Sequence, residues 1–256
     1  MTNKPSKFLA EAEVVIVGVG GIVGSMVAYW LAELGQKNIV GLEKSTIIPS
    51  DIASTAHASD FVYNTTHDKL GCWATNFSRK FYEDNGFFLK KGGLEICRKD
   101  DDARWEELKR KVESGKAFGT NIRLISAAEA KEKFPLLNEE SIRGAMWDPD
   151  AGLVTPRSQD VVNFAVETAK EKGALSTFTD TPAIDFDVEN GRITGVKTDK
   201  GTIKTNKVVI TSGIWGPLMG KKAGVPVPLM PVEHPLLFFG PLPEIQGTEE
   251  LLVYPL

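Results

Sequence analysis

Cysteine, excess charge of one sign and long apolar runs are all scarce in this 256-residue chain. Cys72 and Cys97 are too few for a disulfide scaffold and lack the CxxC or Cys/His spacing of zinc ligands, so we expect reduced, buried thiols and no metal. A formal net charge of -4 gives no broadly basic surface for nucleic acid or anionic lipid. No apolar run approaches the ~18 residues that span a bilayer, and the N-terminus lacks the apolar core of a signal peptide. These absences favour a cytoplasmic protein that binds neither nucleic acid nor membrane.

The chain does contain one pattern of high information, the stretch EVVIVGVGGIVGSMVAYWLAELGQKNIVGLEKS at residues 13–45. Val14–Val17 has the β-branched composition of a strand buried on both faces. Apolar residues then recur at helical spacing as far as a stop at Gly35, and 38–42 reads as a second strand that ends at Glu43. The order strand, glycine turn, helix, strand, acid predicts a βαβ unit of the dinucleotide-binding kind.

The glycines of this turn exceed the usual GxGxxG fingerprint by one residue, because they fall at Gly18, Gly20, Gly21 and Gly24. Glu43 follows Gly24 by about 20 residues, the usual spacing to the acid that bonds a ribose hydroxyl. The surplus residue therefore lies within 18–20, and we predict a one-residue bulge at the strand end, which glycine tolerates. We expect a pyrophosphate at the helix N-terminus near Gly21 and an adenosine ribose at Glu43. The alternative is a glycine turn that binds nothing.

The remaining sequence predicts a mixed α/β architecture. The segment after Glu43 is long and irregular, which favours a functional loop. Helices are predicted at 69–85, 101–117 and 157–172, a capping box at Ser126 and Glu129, a hairpin turn at Asn190-Gly191, and a second buried strand at 208–211 that meets Gly213. The middle of the chain reads as a second layer inserted into the first. Because EELLVYPL ends the chain in an apolar, strand-like run, we expect a fragment of a longer protein.

Short motifs in a specific order carry a resemblance across residues 13–256. They are VVIVG...GGIVG, LEKS, STAHA, GGLEI, FPLL, DAGLV and GTIKTNKVVITSGIWG. Together they resemble the N-terminal part of flavoprotein amine oxidoreductases of the D-amino-acid oxidase superfamily, in particular the dimethylglycine oxidase, dimethylglycine dehydrogenase and sarcosine dehydrogenase group. The extra residue before Gly21 departs from the family pattern.

The resemblance implies an α/β fold in which a Rossmann-like FAD-binding domain carries an inserted, incomplete antiparallel sheet. The FAD-binding domain would comprise residues 1–88 and 151–224, and the substrate domain residues 89–150 and 225–256. The implied cofactor-binding residues are Gly18, Gly20, Gly21, Gly24, Glu43, Lys44, His57, Gly213 and Gly216. The role of Trp215, next to the last of these glycines, stays open.

Two histidines receive specific roles from the resemblance. His57, in ASTAHA, aligns with the site of flavin attachment, which implies a covalent bond between its imidazole and the flavin ring. A solvated or backbone-bonded loop histidine is the simpler alternative. His234, in PVEHPLL, matches a histidine near flavin and substrate, which implies a catalytic or substrate-orienting role. A structural histidine in a strand is the alternative there. His67 has no such context, and we expect it at the surface.

The implied function is oxidation of the C–N bond of a small N-methylated amino acid such as dimethylglycine or sarcosine, by hydride transfer to FAD. Oxygen or an electron-transfer protein would take the electrons. The alternatives are a non-catalytic regulatory subunit, a truncated chain that folds poorly, and an oxidase of another amine or amino acid. Arg143 and Arg157 are the nearest candidates for a substrate carboxylate, although surface salt bridges explain both more simply. An NAD-dependent dehydrogenase is disfavoured because a loop, rather than another βα unit, follows Glu43.

Overall fold

The computed structural model describes residues 9–65, 67–233, 235, 240, 242–243 and 254–255. It forms two compact units, Met1–Ala58 with Arg157–Leu236 (unit 1) and Ser59–Pro156 with Leu237–Leu256 (unit 2). The strands are β1 Val14–Val17, β2 Ile39–Leu42, β3 Phe61–Val62, β4 Phe88–Lys90, β5 Gly93–Arg98, β6 Arg123–Ser126, β7 Ile142–Asp148, β8 Gly152–Val154, β9 Leu175–Phe178, β10 Ala183–Glu189, β11 Arg192–Thr198, β12 Gly201–Lys204, β13 Val208–Ile210 and β14 Tyr254–Pro255. The α-helices are α1 Ile22–Glu33, α2 Lys69–Asp84, α3 Asp102–Ala117, α4 Ala127–Lys133, α5 Ser158–Glu171 and α6 Gly216–Lys222.

A four-stranded parallel sheet in the order β13-β1-β2-β9 forms the centre of unit 1. Successive side chains of β1 point to opposite faces, as the two-residue period of a strand requires. Val14 and Ile16 pack in a cluster with residues of α1 and α5, whereas Val15 and Val17 pack in a second cluster. Both faces of β1 are thus covered, which explains its uninterrupted β-branched sequence.

The second face of this sheet is covered by the antiparallel meander β10-β11-β12 and by Met219 of α6. Asn190 and Gly191, between β10 and β11, both have positive φ, 50° and 73°. This is the backbone of the predicted Asn-Gly hairpin turn, which is therefore confirmed.

Unit 2 contains two further sheets, β14-β5-β7-β6 and β3-β8-β4, whose pairs are antiparallel except for the parallel pair β14 and β5. The predicted capping box is present, since the Ser126 hydroxyl accepts from the Glu129 N–H and the Glu129 carboxylate accepts from the Ser126 N–H. Cys72 and Cys97 are buried thiols that are not joined in a disulfide, as expected. Burial raises the pKa of the Cys97 thiol. The predicted α/β class with separate antiparallel sheets is confirmed.

One predicted strand differs from the structure, and the compact units can be compared with the predicted domains. The strand at 208–211 ends at Ile210 and is half-buried rather than buried, because β13 lies at the end of the described sheet and has a strand on one side only. The compact units divide at Ala58 and Arg157, whereas the predicted FAD-binding and substrate domains divide at 88 and 150. Ladder pairing of β3 and β4 with β8 holds residues 59–90 in unit 2. The assignment of the units to FAD-binding and substrate domains stays a prediction.

Candidate functional site

The turn after β1 places two backbone donors on one carbonyl oxygen. The N–H groups of Gly18 and Val19 both donate to the carbonyl of Leu42, at 2.9 and 3.1 Å. Both residues follow the last ladder pair, Val17 with Leu42, and the ladder itself has no shift in register, so the predicted bulge stays a prediction. Gly18 has φ +95°, a left-handed conformation that L side chains rarely adopt.

Three of the four glycines satisfy three different steric demands of the turn. A Cβ at Gly18 would lie 2.7 Å from the carbonyl oxygen of Thr211, and a Cβ at Gly24 would lie 2.2 Å from the carbonyl oxygen of Gly18. Gly24 therefore allows α1 to pack closely against the end of β1. A Cβ at Gly21 would meet nothing nearer than the Thr55 hydroxyl at 3.6 Å, so this position is open. A turn glycine, an open glycine and a packing glycine are the three roles in a dinucleotide-binding fingerprint.

The fourth glycine, Gly20, contacts the acid at the end of β2. Its N–H donates to Glu43 Oε2 at 2.9 Å, and a Cβ there would lie 2.5 Å from the same oxygen. Glu43 Oε1 accepts from the Ser45 N–H at 3.0 Å and from the Ser50 hydroxyl at 3.2 Å. The Ser50 N–H donates in turn to the Gly20 carbonyl at 2.9 Å. Glu43 is thus a buried carboxylate that joins the glycine turn to the loop after β2.

Helix α1 begins at the edge of a cavity. Gly21 is its N-cap, and the N–H of the first helical residue, Ile22, donates to the Thr55 hydroxyl at 3.0 Å. Gly21, Ile22 and Val23 line the cavity. The first N–H groups of a helix have no intrahelical acceptor and carry partial positive charge, so this edge favours an anion.

The cavity occupies about 540 Å³ within unit 1, at the carboxyl ends of β1, β2 and β13. Most of its wall is apolar. Its side chains come from the glycine turn, the loop after β2, the start of β10 and the segment after β13, and the apolar ones include Ile52, Pro182, Ile184, Ile214, Trp215, Leu218 and Met219. A largely apolar cavity with a few convergent polar groups is typical of a cofactor site.

Two features of the cavity wall fit a ligand that carries phosphate and an aromatic base. The Ser212 hydroxyl is buried without a hydrogen-bond partner among the described residues, and Ser212 lines the cavity beside Gly18. A buried hydroxyl without a partner is costly, and a ligand polar atom would satisfy it. Lys44 Nζ lies 4.5 Å from the centroid of the half-exposed Trp215 ring, and both residues line the cavity. The pair offers a flat face and a positive charge.

The structure brings five of the nine predicted cofactor-binding residues to this cavity, namely Gly18, Gly21, Glu43, Lys44 and Gly213. The other four do not line it. Gly24 is buried at the packing contact, Gly20 lies against Glu43, Gly216 begins α6, and His57 is exposed at the end of a 3-10 helix, Ser54–His57. His234 lies outside the described residues.

Sequence reasoning missed Ser50, Thr55 and Ser212 as cavity residues. The irregular segment after Glu43 signalled a functional loop that contains the first two, but no spacing rule identifies which hydroxyl faces a helix terminus 33 residues away. Ser212 is adjacent to the predicted Gly213, and only its buried, unpaired hydroxyl identifies it.

The loop that carries His57 is bonded to α5. Arg157, the N-cap residue of α5, donates from its guanidinium to the Ala58 carbonyl at 3.3 Å. Arg143 forms an ion pair with Asp102 at 2.6 Å, the surface interaction expected of it. His67 is exposed and pairs with Glu107 at 3.3 Å.

The described part of the chain contains neither a metal-binding cluster nor a helix suited to a membrane. It contains no group of three or more His, Cys, Asp or Glu side chains that could hold a metal ion. None of its helices is both long enough and apolar enough to cross a membrane.

A cavity at the carboxyl ends of parallel strands, beside a glycine turn and an acid, defines a dinucleotide-binding α/β protein. Residues 13–256 match the family described as FAD dependent oxidoreductase, and the chain belongs to that family. Family membership confirms the predicted resemblance and indicates FAD as the cofactor.

Individual relatives are similar over most of this chain. It is 30% identical over 249 residues to the mitochondrial sarcosine dehydrogenase of Homo sapiens. The match covers 90% of this chain and 26% of the dehydrogenase. The chain is also 30% identical over 234 residues to the mitochondrial pyruvate dehydrogenase phosphatase regulatory subunit of Mus musculus. That match covers 88% of this chain and 26% of the regulatory subunit. The crystal structure of L-proline dehydrogenase from P. horikoshii matches with a TM-score of 0.75 and 31% identity, over 85% of this chain and 57% of that one. The chain thus spans about a quarter of the length of these two curated relatives.

Proposed function

We propose that the cavity of unit 1 holds the adenosine diphosphate part of FAD, and that the protein oxidises the C–N bond of a small N-methylated amino acid such as dimethylglycine or sarcosine. The observation that carries the first part is the division of roles among Gly18, Gly21 and Gly24 beside a cavity that Glu43 lines. The second part is supported by family membership and by the 30% identity to sarcosine dehydrogenase.

Three parts of the cavity wall suit three parts of the ligand. The pyrophosphate would lie at the N-terminus of α1, where Gly21 leaves room and the Ser212 hydroxyl lacks a partner. The ribose would lie at Glu43. The adenine would occupy the apolar side near Ile184 and the Lys44–Trp215 pair, because a base needs a flat apolar contact.

His57 is proposed as the covalent anchor of the flavin ring. The exposed imidazole lies two residues after Thr55, which contacts the N-terminus of α1. A 3-10 helix and the Arg157 contact to Ala58 hold this segment on unit 1. A neutral imidazole in a held, accessible loop has the nucleophilicity that attachment needs.

When bound, FAD supplies the oxidation itself by accepting a hydride from the substrate carbon. His234 is proposed to face the substrate, where an imidazole could accept the amine proton and expose the nitrogen lone pair. The electron acceptor is proposed to be oxygen or an electron-transfer protein.

Acid precipitation of the purified protein tests the cofactor assignment. We expect yellow colour that stays with the precipitate, because a covalent bond survives unfolding. The His57→Ala variant should bind flavin that acid releases, while His67→Ala, a change of another exposed histidine, should behave as the unaltered protein. Acid-stable flavin in His57→Ala would remove His57 as the anchor, and absence of flavin after reconstitution would contradict the cofactor assignment.

Anaerobic mixing tests the substrate class. Sarcosine and dimethylglycine should bleach the visible flavin band, whereas glycine, which has no N-methyl group, should not. Bleaching by proline or by glycine in preference would replace the N-methyl substrate with another amine or amino acid.

A regulatory, non-catalytic role is the second candidate, favoured by the similarity to the phosphatase regulatory subunit. A chain that retains flavin but is reduced by no amine in a broad screen would favour this role. The histidine at position 57, proposed here as the attachment site, is the feature that argues for the enzyme.

A further inference from the structure

The segment that carries His57 is fixed to unit 1 at its two ends by different bonds. At its start, the Thr55 hydroxyl accepts from the Ile22 N–H at 3.0 Å, which ties the 3-10 helix to α1. At its end, the Ala58 carbonyl accepts from the Arg157 guanidinium at 3.3 Å. The Ala58 N–H donates to the Thr55 carbonyl at 3.4 Å, which is long for a backbone hydrogen bond. Because the guanidinium is charged, its contact is the stronger of these two at the end next to His57.

Arg157 is itself held by a rigid element. It is the N-cap residue of α5, and its carbonyl accepts from the Asp160 N–H at 2.9 Å. Helix α5 contacts the 3-10 helix, and its inner face lies in the core, where Val162 and Ala165 are fully buried. A backbone carbonyl that is bonded to the start of such a helix has little freedom to move. The residue before that carbonyl is therefore held as well.

This contact lies where the chain leaves unit 1. Ala58 is the last residue of the first segment of unit 1, and Arg157 is the first residue of its second segment. The next element after Ala58 is β3, a strand of unit 2, so the segment gains no ladder hydrogen bonds within unit 1 on that side. The exposed His57 side chain forms no hydrogen bond with the residues that the structure describes. The position of its imidazole is thus set by the backbone that Arg157 holds.

We propose that Arg157 is a positioning residue for the covalent attachment of FAD at His57, because it fixes the backbone from which the imidazole reaches the flavin ring. The inference rests on the proposed function, in which His57 is the anchor. Attachment breaks an imidazole N–H bond and a flavin methyl C–H bond and forms an N–C bond, while two electrons and two protons pass through the flavin to dioxygen, which becomes hydrogen peroxide. Bond formation needs reacting atoms about 3–3.5 Å apart, so a shift of about 1 Å can slow it about a hundredfold. Arg157 thus controls the rate of attachment and not the affinity for FAD.

The rate at which acid-stable flavin forms tests this inference. The full chain, expressed in riboflavin-deficient cells, is mixed with FAD in air, and acid-precipitated samples are assayed for flavin over time. Arg157→Met keeps the apolar stem and removes the donors, so it should form acid-stable flavin at least about tenfold more slowly than the unaltered chain. In the His57→Ala background, where all flavin is dissociable, the same change should leave the Kd for FAD within about threefold.

Further variants separate positioning from a general structural effect. Arg157→Lys retains a donor for the Ala58 carbonyl and should recover a rate within about threefold of the unaltered chain. Arg157→Gln is two atoms shorter and should be as slow as Arg157→Met, and it serves as the test if the methionine variant fails to fold. Arg143→Met, a change of an arginine that pairs with Asp102, is the matched control and should attach flavin at the unaltered rate. A lysine variant no faster than the methionine or glutamine variant would contradict a role for the donor.

The outcomes separate this inference from the proposed function. Attachment by Arg157→Met at the rate of the unaltered chain would overturn the inference and leave His57 as the anchor. A parallel loss of attachment rate and FAD affinity would also overturn it, because Arg157 would then support the binding site as a whole. An unaltered chain that binds FAD but forms no acid-stable flavin would overturn the inference and the His57 anchor, while the cofactor assignment would stand. A chain that binds no FAD would overturn the cofactor assignment as well.

Discussion

Gly21 and Gly24 are three residues apart and serve opposite purposes. At Gly24 there is no room for a side chain, because a Cβ atom there would lie 2.2 Å from the Gly18 carbonyl oxygen. Gly21 is open on that side, with its nearest neighbour at 3.6 Å. Packing therefore requires glycine at position 24, whereas at position 21 only the proposed pyrophosphate would require it.

This contrast predicts opposite effects for the same substitution. Gly24→Ala should destabilise the protein by about 1–3 kcal/mol, because backbone atoms cannot move aside as a flexible side chain can. Gly21→Ala should change the free energy of unfolding by less than about 0.5 kcal/mol. It should nevertheless weaken FAD binding about tenfold or more, since the new methyl group would occupy the space for the pyrophosphate.

Thermal unfolding and flavin titration of the two variants measure these effects separately. Equal losses of stability in both variants would contradict the distinction between a packing glycine and a ligand glycine. Undiminished FAD affinity in a folded Gly21→Ala variant would contradict the proposed phosphate position.

The sequence predicts some of these residues better than others, for physical reasons. Glu43 follows from its spacing to Gly24, because one helix and one strand fix the distance between them. The roles within the turn do not follow from spacing, since only contacts show that Gly20 faces a carboxylate. Thr55 and Ser212 come from distant parts of the chain, and their polar contacts depend on tertiary structure.

At the scale of elements, strong periodicity predicted the bounds of the helices and of the buried strands to within a residue or two. Helices predicted at 69–85, 101–117 and 157–172 span Lys69–Asp84, Asp102–Ala117 and Ser158–Glu171. Local side-chain caps at Asp68 and Asp101 explain two of these starts. The half-buried state of β13 was not predictable, because an apolar run does not reveal how many neighbours its strand has.

The capping box of α4 supports a prediction at this scale. Ser126→Ala should cost about 1 kcal/mol, since it removes the acceptor for the Glu129 N–H. The Ser126 backbone N–H and the Arg123 side chain lower the pKa of Glu129. A carboxyl with a lowered pKa stabilises the folded state above its ordinary pKa, and this contribution is lost as the pH falls through the folded-state pKa.

Glu129→Gln should therefore reduce stability at neutral pH and converge with the unaltered protein in acid. Glu132→Gln, a change of another exposed glutamate in the same helix, is the control and should show no such convergence. Denaturant unfolding at several pH values measures both. An equal effect of the two variants at neutral pH would contradict a specific role for the cap.

At the scale of the whole molecule, the two-unit organisation follows from pairing that sequence reveals only in part. The inserted antiparallel layer was predictable from strand patterns between two α/β segments. Its limits were not, because β3 and β4 join unit 2 through ladders to β8, which is distant in sequence. The cavity itself lies wholly in unit 1, so its residues come from the two segments that flank the insertion.

The most direct test of the central claim, that unit 1 binds the adenosine diphosphate part of FAD, is the flavin content of the purified full chain after reconstitution with FAD and desalting. We expect about one flavin per chain. In the His57→Ala variant, free FAD should also raise Tm, because a ligand that binds only the folded state stabilises it by about 2.7 kcal/mol at a concentration a hundred times its Kd. Gly21→Val should lose both effects while remaining folded. A chain that retains no flavin and gains no stability from FAD, or a Gly21→Val variant that binds FAD as well as the unaltered chain, would contradict the claim.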